Sequence, residues 1–223
     1  MDERAGGDAA DTSMLRSVKQ FARRHLNAAR GSHAWDHTSR VFRLCDRIGA
    51  VEGVDMAVLR TAAYLHDIGR GRQDRVKGDI CHAREGARLA ESFVKGLPLS
   101  GVQKSNILHC IESHRYRGET VPQTPEARVL FDADKLDAIG AIGVARAFLF
   151  AGEIGARLHA PELSVADTRP YSVNDTGYRE YILKLRKIKD RVLTAEGRRL
   201  AERRHRFMVA FFNRFLDEYD GKG

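Results

Sequence analysis

No stretch of this 223-residue chain approaches the roughly 20 continuous apolar residues that a membrane helix needs. Met1-Asp2-Glu3 leads into a Gly/Ala/Asp stretch without the apolar core of a secretory leader. The expectation is a cytoplasmic protein with no membrane partner. Cysteine is scarce as well: Cys45, Cys81 and Cys110 form no CxxC pair, and each lies on or beside an apolar helical stretch. That argues against a zinc ribbon or a disulfide frame and for reduced, buried thiols. Strand-like alternation is rare, and no internal repeat occurs.

What is present is an ordinary globular composition, 43% hydrophobic and 30% charged. The length suits one sizeable core, or one domain with a helical extension. The formal net charge of +8 favours anionic partners, phosphate-bearing ones among them. A solvated arginine-rich surface would have the same balance.

Residues 1–12 are small, acidic and aperiodic and are read as a disordered tail. Ser13 can cap a first helix to about Ala29. Asp36 can cap a second to about Glu52, with apolar residues at Val41, Leu44, Cys45, Ile48 and Val51. Asp55 caps a third, Met56 to Ile68, apolar nearly all round and therefore buried. Arg70 to Ile80 reads as a polar loop. Further helices follow at about His82–Val94, Gly101–Arg115 and Glu126–Ala138, and Gly140 and Gly143 bend or split the stretch to Phe150. Residues 152–177 read as a long loop or lid. Helices at about Tyr178–Leu193 and Ala195–Tyr219 close the chain, joined near Thr194. The fold class is all-α, a helical bundle.

The chemical signal lies in ionisable residues at apolar phases. His37 stands four residues before Val41, seven before Leu44 and eleven before Ile48, so it points with the buried stripe. His66 follows Ala62 by four and Leu59 by seven, and Asp67 comes next in a segment with almost no polar face. His114 continues the stripe of Ile107 and Ile111. Asp134 follows Leu130 by four and Ala127 by seven, and Asp137 extends that face. His82 opens its helix on the side of Gly86, Leu89-Ala90 and Phe93. A single inward histidine is commonly a satisfied core residue. Buried aspartates are harder to place, because an unpaired carboxylate in low dielectric costs several kcal/mol. A cation gathering carboxylates and neutral imidazoles accounts for all of them; a buried His–Asp hydrogen-bond network is the structural alternative. Side chains at His66 and Asp67 diverge by about 100° on an ideal helix, so they share one ion only near a helix end, which Gly69 supplies.

His37, the pair His66-Asp67 and the distant Asp134 resemble the HD-domain superfamily of metal-dependent phosphohydrolases. The contexts are His33-Ala-Trp-Asp-His37-Thr-Ser-Arg40, Ala63-Tyr-Leu-His66-Asp67-Ile-Gly69-Arg70 and Asp132-Ala-Asp134-Lys135-Leu136-Asp137. His82-Ala-Arg-Glu-Gly-Ala and Ile111-Glu-Ser-His114-Arg115 resemble its middle segments. The C-terminal stretch, with Leu183-Lys-Leu-Arg-Lys-Ile-Lys-Asp and Ala201-Glu-Arg-Arg-His205, is similar to the small YpgQ-like nucleotide pyrophosphohydrolase branch. Around Asn174 to Tyr181 that branch tends to carry His-Phe and Glu-Lys, which are missing here.

The resemblance implies a single-domain HD-type bundle: a core over 13–151, a loop or lid over 152–177, and a helical extension over 178–223. It implies a divalent ion (Mn, Mg, Fe, Co or Ni, with Zn less clean) held by His37, His66, Asp67 and Asp134. Two-metal phosphodiesterases of the superfamily usually have a second histidine where Ser113 stands, so one ion is expected. Catalytic roles fall to Asp67, to His33 one turn before His37, and to Asp137 as a group that orients a ligand or accepts a proton. Substrate contacts fall to His82, His114, Arg70, Arg115 and Lys135, each of which would also serve as pocket wall or solvated charge. Trp35 can stack on a base, but packing a helix start is the commoner role.

The partner is then a phosphorylated small molecule, a nucleotide and first a nucleoside triphosphate, with a homodimer left open. A 5′-nucleotidase or a cyclic-nucleotide phosphodiesterase would use the same site. A non-catalytic nucleic-acid binder is the third reading. It rests on a basic C-terminal run that includes Lys184, Arg186, Lys187, Arg198 and Arg203, interrupted by Asp190, Glu196 and Glu202.

Overall fold

The computed structural model describes residues 3–26, 35–76, 80–115 and 120–222, without the side chains of residues 3–12 and 74. Ten α-helices and no strand are found among the described residues, so the all-α expectation holds. None of the described helices is long and apolar enough to cross a membrane. By internal contact the chain divides into two compact units, Met1–Asp134 and Lys135–Gly223.

The first unit holds α1 (Glu3–Leu26), α2 (Trp35–Glu52), α3 (Met56–Leu65), α4 (Arg70–Arg75), α5 (His82–Lys95), α6 (Gly101–Ser113) and most of α7 (Pro125–Asp137). Its centre is α3, against which α1, α2 and α6 all pack. Val58, Leu59, Ala62, Ala63 and Leu65 are buried there, as a nearly all-apolar helix requires. Asp55 caps it: its Oδ1 accepts from the backbone N–H groups of Ala57 at 3.0 Å and Val58 at 3.2 Å. α3 stops at Leu65, and His66 to Gly69 form turns. The His66-Asp67 pair therefore stands at a helix end, as its sharing one ion demands.

α2 buries His37, Val41, Leu44, Cys45 and Ile48, the expected stripe. Three local expectations are revised. α1 begins at Glu3 rather than after Ser13; alanines at 5, 9 and 10 favour that continuation. Asp36 lies in the first turn of α2, which starts at Trp35, and not at its cap. Where a loop was read from Arg70, the six-residue α4 forms, started by the Gln73 N–H on the Gly69 carbonyl at 3.2 Å. Gly69 also sets how closely the chain end of α3 approaches α5. A Cβ there would overlap the His82 carbonyl and lie 2.6 Å from the Gly86 nitrogen.

The second unit holds α8 (Gly140–Glu153), α9 (Gly177–Leu183) and α10 (Ala195–Tyr219), with 3-10 turns at Val165–Asp167 and Leu185–Arg191. α7 and α8 are separate helices: Ile139 is extended and Gly140 has φ +79°, a left-handed conformation that favours glycine. Residues 154–176 contain one 3-10 turn and otherwise loop. Arg179 ties that loop to α9 through Thr168 Oγ1 at 2.6 Å and Asp175 Oδ1 at 2.7 Å. The single helix expected over 178–193 is instead α9 followed by the second 3-10 turn. Buried Leu185 and Ile188, three residues apart, eclipse on one side of a 3-10 turn and leave Arg186 and Lys187 exposed. Thr194 caps α10 at the expected junction, accepting from the Gly197 N–H at 3.1 Å.

Candidate metal centre

Five elements of the first unit each contribute to one buried cluster. The first turn of α2 supplies His37, the turn after α3 supplies His66 and Asp67, and the start of α5 supplies His82. The residue after α6 is His114, and α7 carries Asp134. All are buried except Asp134, whose side chain is 17% exposed.

Two of the rings are oriented by the helices they terminate. His66 Nδ1 lies 2.8 Å from the Ala63 carbonyl, and His114 Nδ1 lies 2.6 Å from the Ile111 carbonyl. A carbonyl oxygen only accepts, so both rings hold their proton on Nδ1 and turn the Nε2 lone pair toward the cluster. Burial pushes His66 down to about 4, against a partial upward pull from Asp67. It pushes His82 down to about 2; Asp67 opposes the shift, and His114 and Arg70 add to it. Neutral imidazoles with inward lone pairs are what a metal ion requires.

Two trios of donor atoms qualify as ion sites among the described residues: His37, His66 and Asp134, and Asp67, His82 and His114. In the first, His37 Nε2 stands 3.3 Å from Asp134 Oδ1 and 3.4 Å from His66 Nε2. Asp67 Oδ2 joins it at 3.7 Å from His37 and 3.9 Å from His66. In the second, Asp67 Oδ1 lies 3.5 Å from His82 Nε2 and 3.6 Å from His114 Nε2, and the two rings approach to 3.2 Å. The Asp67 carboxylate thus straddles both trios. Adjacent ligands of a six-coordinate ion with bonds of about 2.1 Å stand about 3 Å apart, slightly closer than these donors. Two imidazole nitrogens and two carboxylate oxygens, mostly buried, fit a divalent metal ion.

The HD domain family profile matches residues 34–139. Protein YpgQ of Bacillus subtilis (strain 168) is 34% identical over 212 residues, spanning 92% of this chain and 93% of that protein. This chain belongs to the HD-domain family. Among solved structures, an HD-superfamily hydrolase from Bacillus thuringiensis aligns with a TM-score of 0.75 and 25% identity, over 95% of this chain and 100% of that one. Bacillus subtilis YpgQ in complex with ADP aligns with a TM-score of 0.70 and 27% identity, over 94% of this chain and 96% of that one.

The remaining site candidates of this HD-domain chain are distributed unevenly. Arg70 reaches the cluster: Nη2 is 3.2 Å from Asp67 Oδ1 and 3.0 Å from His82 Nε2. Arg115 touches the thiol of Cys81, the residue before His82. Lys135 is buried directly after Asp134. Asp137 is buried and paired with Arg146, whose Nη1 donates to Oδ2 at 2.8 Å. His33 lies outside the described residues. Trp35 packs, stacking on Tyr64 at 5.8 Å with the Arg23 guanidinium 4.5 Å over its ring. Cys45 and Cys110 are buried as expected, but Cys81 is only half-buried. Gln73 carries no motif of its own, and Gly86 stands in the sequence only as a marker of the helix side that His82 shares. Gln73 holds Arg70, and its only local signal is the three-residue spacing between them; the close approach of Gly86 to Gly69 signals only through the small size of both residues.

Proposed function

We propose that this HD-domain chain is a divalent-metal-dependent phosphohydrolase acting on a nucleotide, a nucleoside triphosphate before others. The observation that carries the reading is the buried convergence of His37, His66, Asp67 and Asp134, with the His66 lone pair fixed inward by the Ala63 carbonyl. The hydrolase relatives and the ADP complex of YpgQ support it.

A divalent ion held by these four residues would supply a Lewis acid for water and for a phosphoryl oxygen. His37, His66, Asp67 and Asp134 fix its place and leave room for substrate. Arg115 and Lys135 are assigned to phosphate oxygens, where fixed cations offset the charge that develops in the transition state. Water adds at the α-phosphorus, the bond to the bridging oxygen breaks, and monophosphate and pyrophosphate result. His33, four residues before His37 in the sequence, is assigned to take the proton of that water. Asp137 is held instead by the guanidinium of Arg146, which donates to its Oδ2 at 2.8 Å. Its role is to position the end of α7.

The test is a substrate panel with Mn²⁺, coupled to metal analysis of the wild type and Asp67→Ala. Pyrophosphate release from a nucleoside triphosphate is the expected result. Activity confined to nucleoside monophosphates or to cyclic nucleotides would replace it by a nucleotidase or a phosphodiesterase. An Asp67→Ala protein that kept both its metal and full activity would sink the metal reading.

A further inference from the structure

The second trio, Asp67, His82 and His114, has an electrostatic problem that the structure itself resolves. His114 Nε2 presents a lone pair, since its Nδ1 proton is committed to the Ile111 carbonyl. His82 Nε2 faces the Arg70 guanidinium, which only donates, so it too presents a lone pair. These two lone pairs stand 3.2 Å apart beside the Asp67 Oδ1 carboxylate oxygen. Three electron-rich atoms converging this closely in a buried setting require a cation. One is present: Arg70 Nη2 donates to Asp67 Oδ1 at 3.2 Å and to His82 Nε2 at 3.0 Å.

Nor is this a swinging surface arginine. Its Nη1 donates to Gln73 Oε1 at 3.0 Å, and the Gln73 amide in turn donates to the Ile80 carbonyl at 2.9 Å. Gln73 is 8% exposed and the Arg70 side chain 19%. The short helix α4 exists where Arg70 and Gln73 fall three residues apart on one face.

We infer that Arg70 is a fixed cation standing in for a second divalent ion, so that this chain holds one ion where its ligand set would otherwise take two. A guanidinium is a permanent cation in proteins. A doubly charged ion at the trio would have to sit against it, and would have to take the Oδ1 that Arg70 already holds. Arg70 is thus a positioning residue. It sets the number of ions and holds the Asp67 carboxylate so that Oδ2 faces His37 and His66. The inference rests on the proposed ion at His37, His66, Asp67 and Asp134.

The test is manganese stoichiometry with electron paramagnetic resonance at saturating Mn²⁺, on wild type, Arg70→Met and Arg70→Gln. Wild type is expected to bind one ion with the spectrum of isolated Mn²⁺. Each variant is expected to bind two, with the spectrum of an exchange-coupled pair. A folded variant that still binds one ion overturns the inference, as does a coupled pair in wild type. A coupled pair in wild type overturns the inference even if both variants fail to fold. A wild type that binds no ion would overturn the metal reading, and this inference with it.

Discussion

His66 and His82 are neutral because they are dry. His66 is held at about 4 and His82 at about 2, while an exposed imidazole titrates near 6.5. Between those values the unfolded chain takes up protons that the folded chain refuses. Stability in metal-free protein is therefore full above about pH 6.5 and is lost as pH falls toward 4, by about 1.4 kcal/mol per pH unit for each proton. The urea midpoint of metal-free protein should be lower at pH 5 than at pH 7; an equal or higher midpoint at pH 5 would contradict this. The thiols divide in a similar way. Burial raises Cys45 well above its ordinary value and Cys110 to about 12. At Cys81 desolvation also pushes upward, but the N–H groups of Arg84 and Ala83 and the Arg115 guanidinium outweigh it and lower the thiol. Iodoacetamide at neutral pH should label Cys81 first. Mass spectrometry that found Cys45 or Cys110 labelled ahead of it would refute the assignment. At this scale the inward phase of His37, His66 and Asp134 was legible, because periodicity reports which way a side chain faces. What each residue meets across the core was not. The Arg70–Asp67 and Arg146–Asp137 pairs depend on turns and neighbours that periodicity does not encode.

Among the elements, the approach of the turn after α3 to the start of α5 decides whether His82 reaches Asp67. Gly69 permits it, since any side chain there would overlap the backbone of His82 and Gly86. Gly69→Ala is expected to destabilise by about 1–3 kcal/mol, the usual cost of overpacking, and to weaken Mn²⁺ binding by shifting the turn that carries His66 and Asp67. Gly86 makes a useful contrast. A Cβ there would meet the His66 carbonyl oxygen and Ile111 Cγ2 at 3.4 Å, ordinary contact distances. Gly86→Ala should leave the free energy of unfolding in urea unchanged or raise it by up to about 1 kcal/mol through helix propensity. If the two substitutions cost the same, the close approach is not what Gly69 serves. The long amphipathic helices and the caps at Asp55 and Thr194 could be read from sequence. α4 and the 3-10 turn at Leu185–Arg191 could not, because segments this short take their form from what they pack against.

For the whole molecule, the net charge of +8 is a statement about encounter rather than about fold. With a nucleoside triphosphate, kcat/KM should fall as salt is raised from about 0.01 M to about 1 M, as the Debye length shrinks from about 30 Å to about 3 Å. An unchanged kcat/KM would leave the charge without a part in capture. The same titration against single-stranded RNA examines the nucleic-acid reading, for which an affinity insensitive to salt would contradict phosphate-backbone binding. The family was legible from spaced motifs that cover nearly the whole chain. The substrate was not, because the residues from Asn174 to Tyr181 depart from the branch pattern and belong to a stretch with little periodicity. One feature of the histidines reaches into kinetics. The carbonyls of Ala63 and Ile111 choose the tautomer of His66 and His114 as soon as α3 and α6 form. The His66 ring, the one of the two that faces the proposed ion, has no proton to expel and no flip to make when an ion arrives. Loading should be fast, and His66 should release no proton into unbuffered solution.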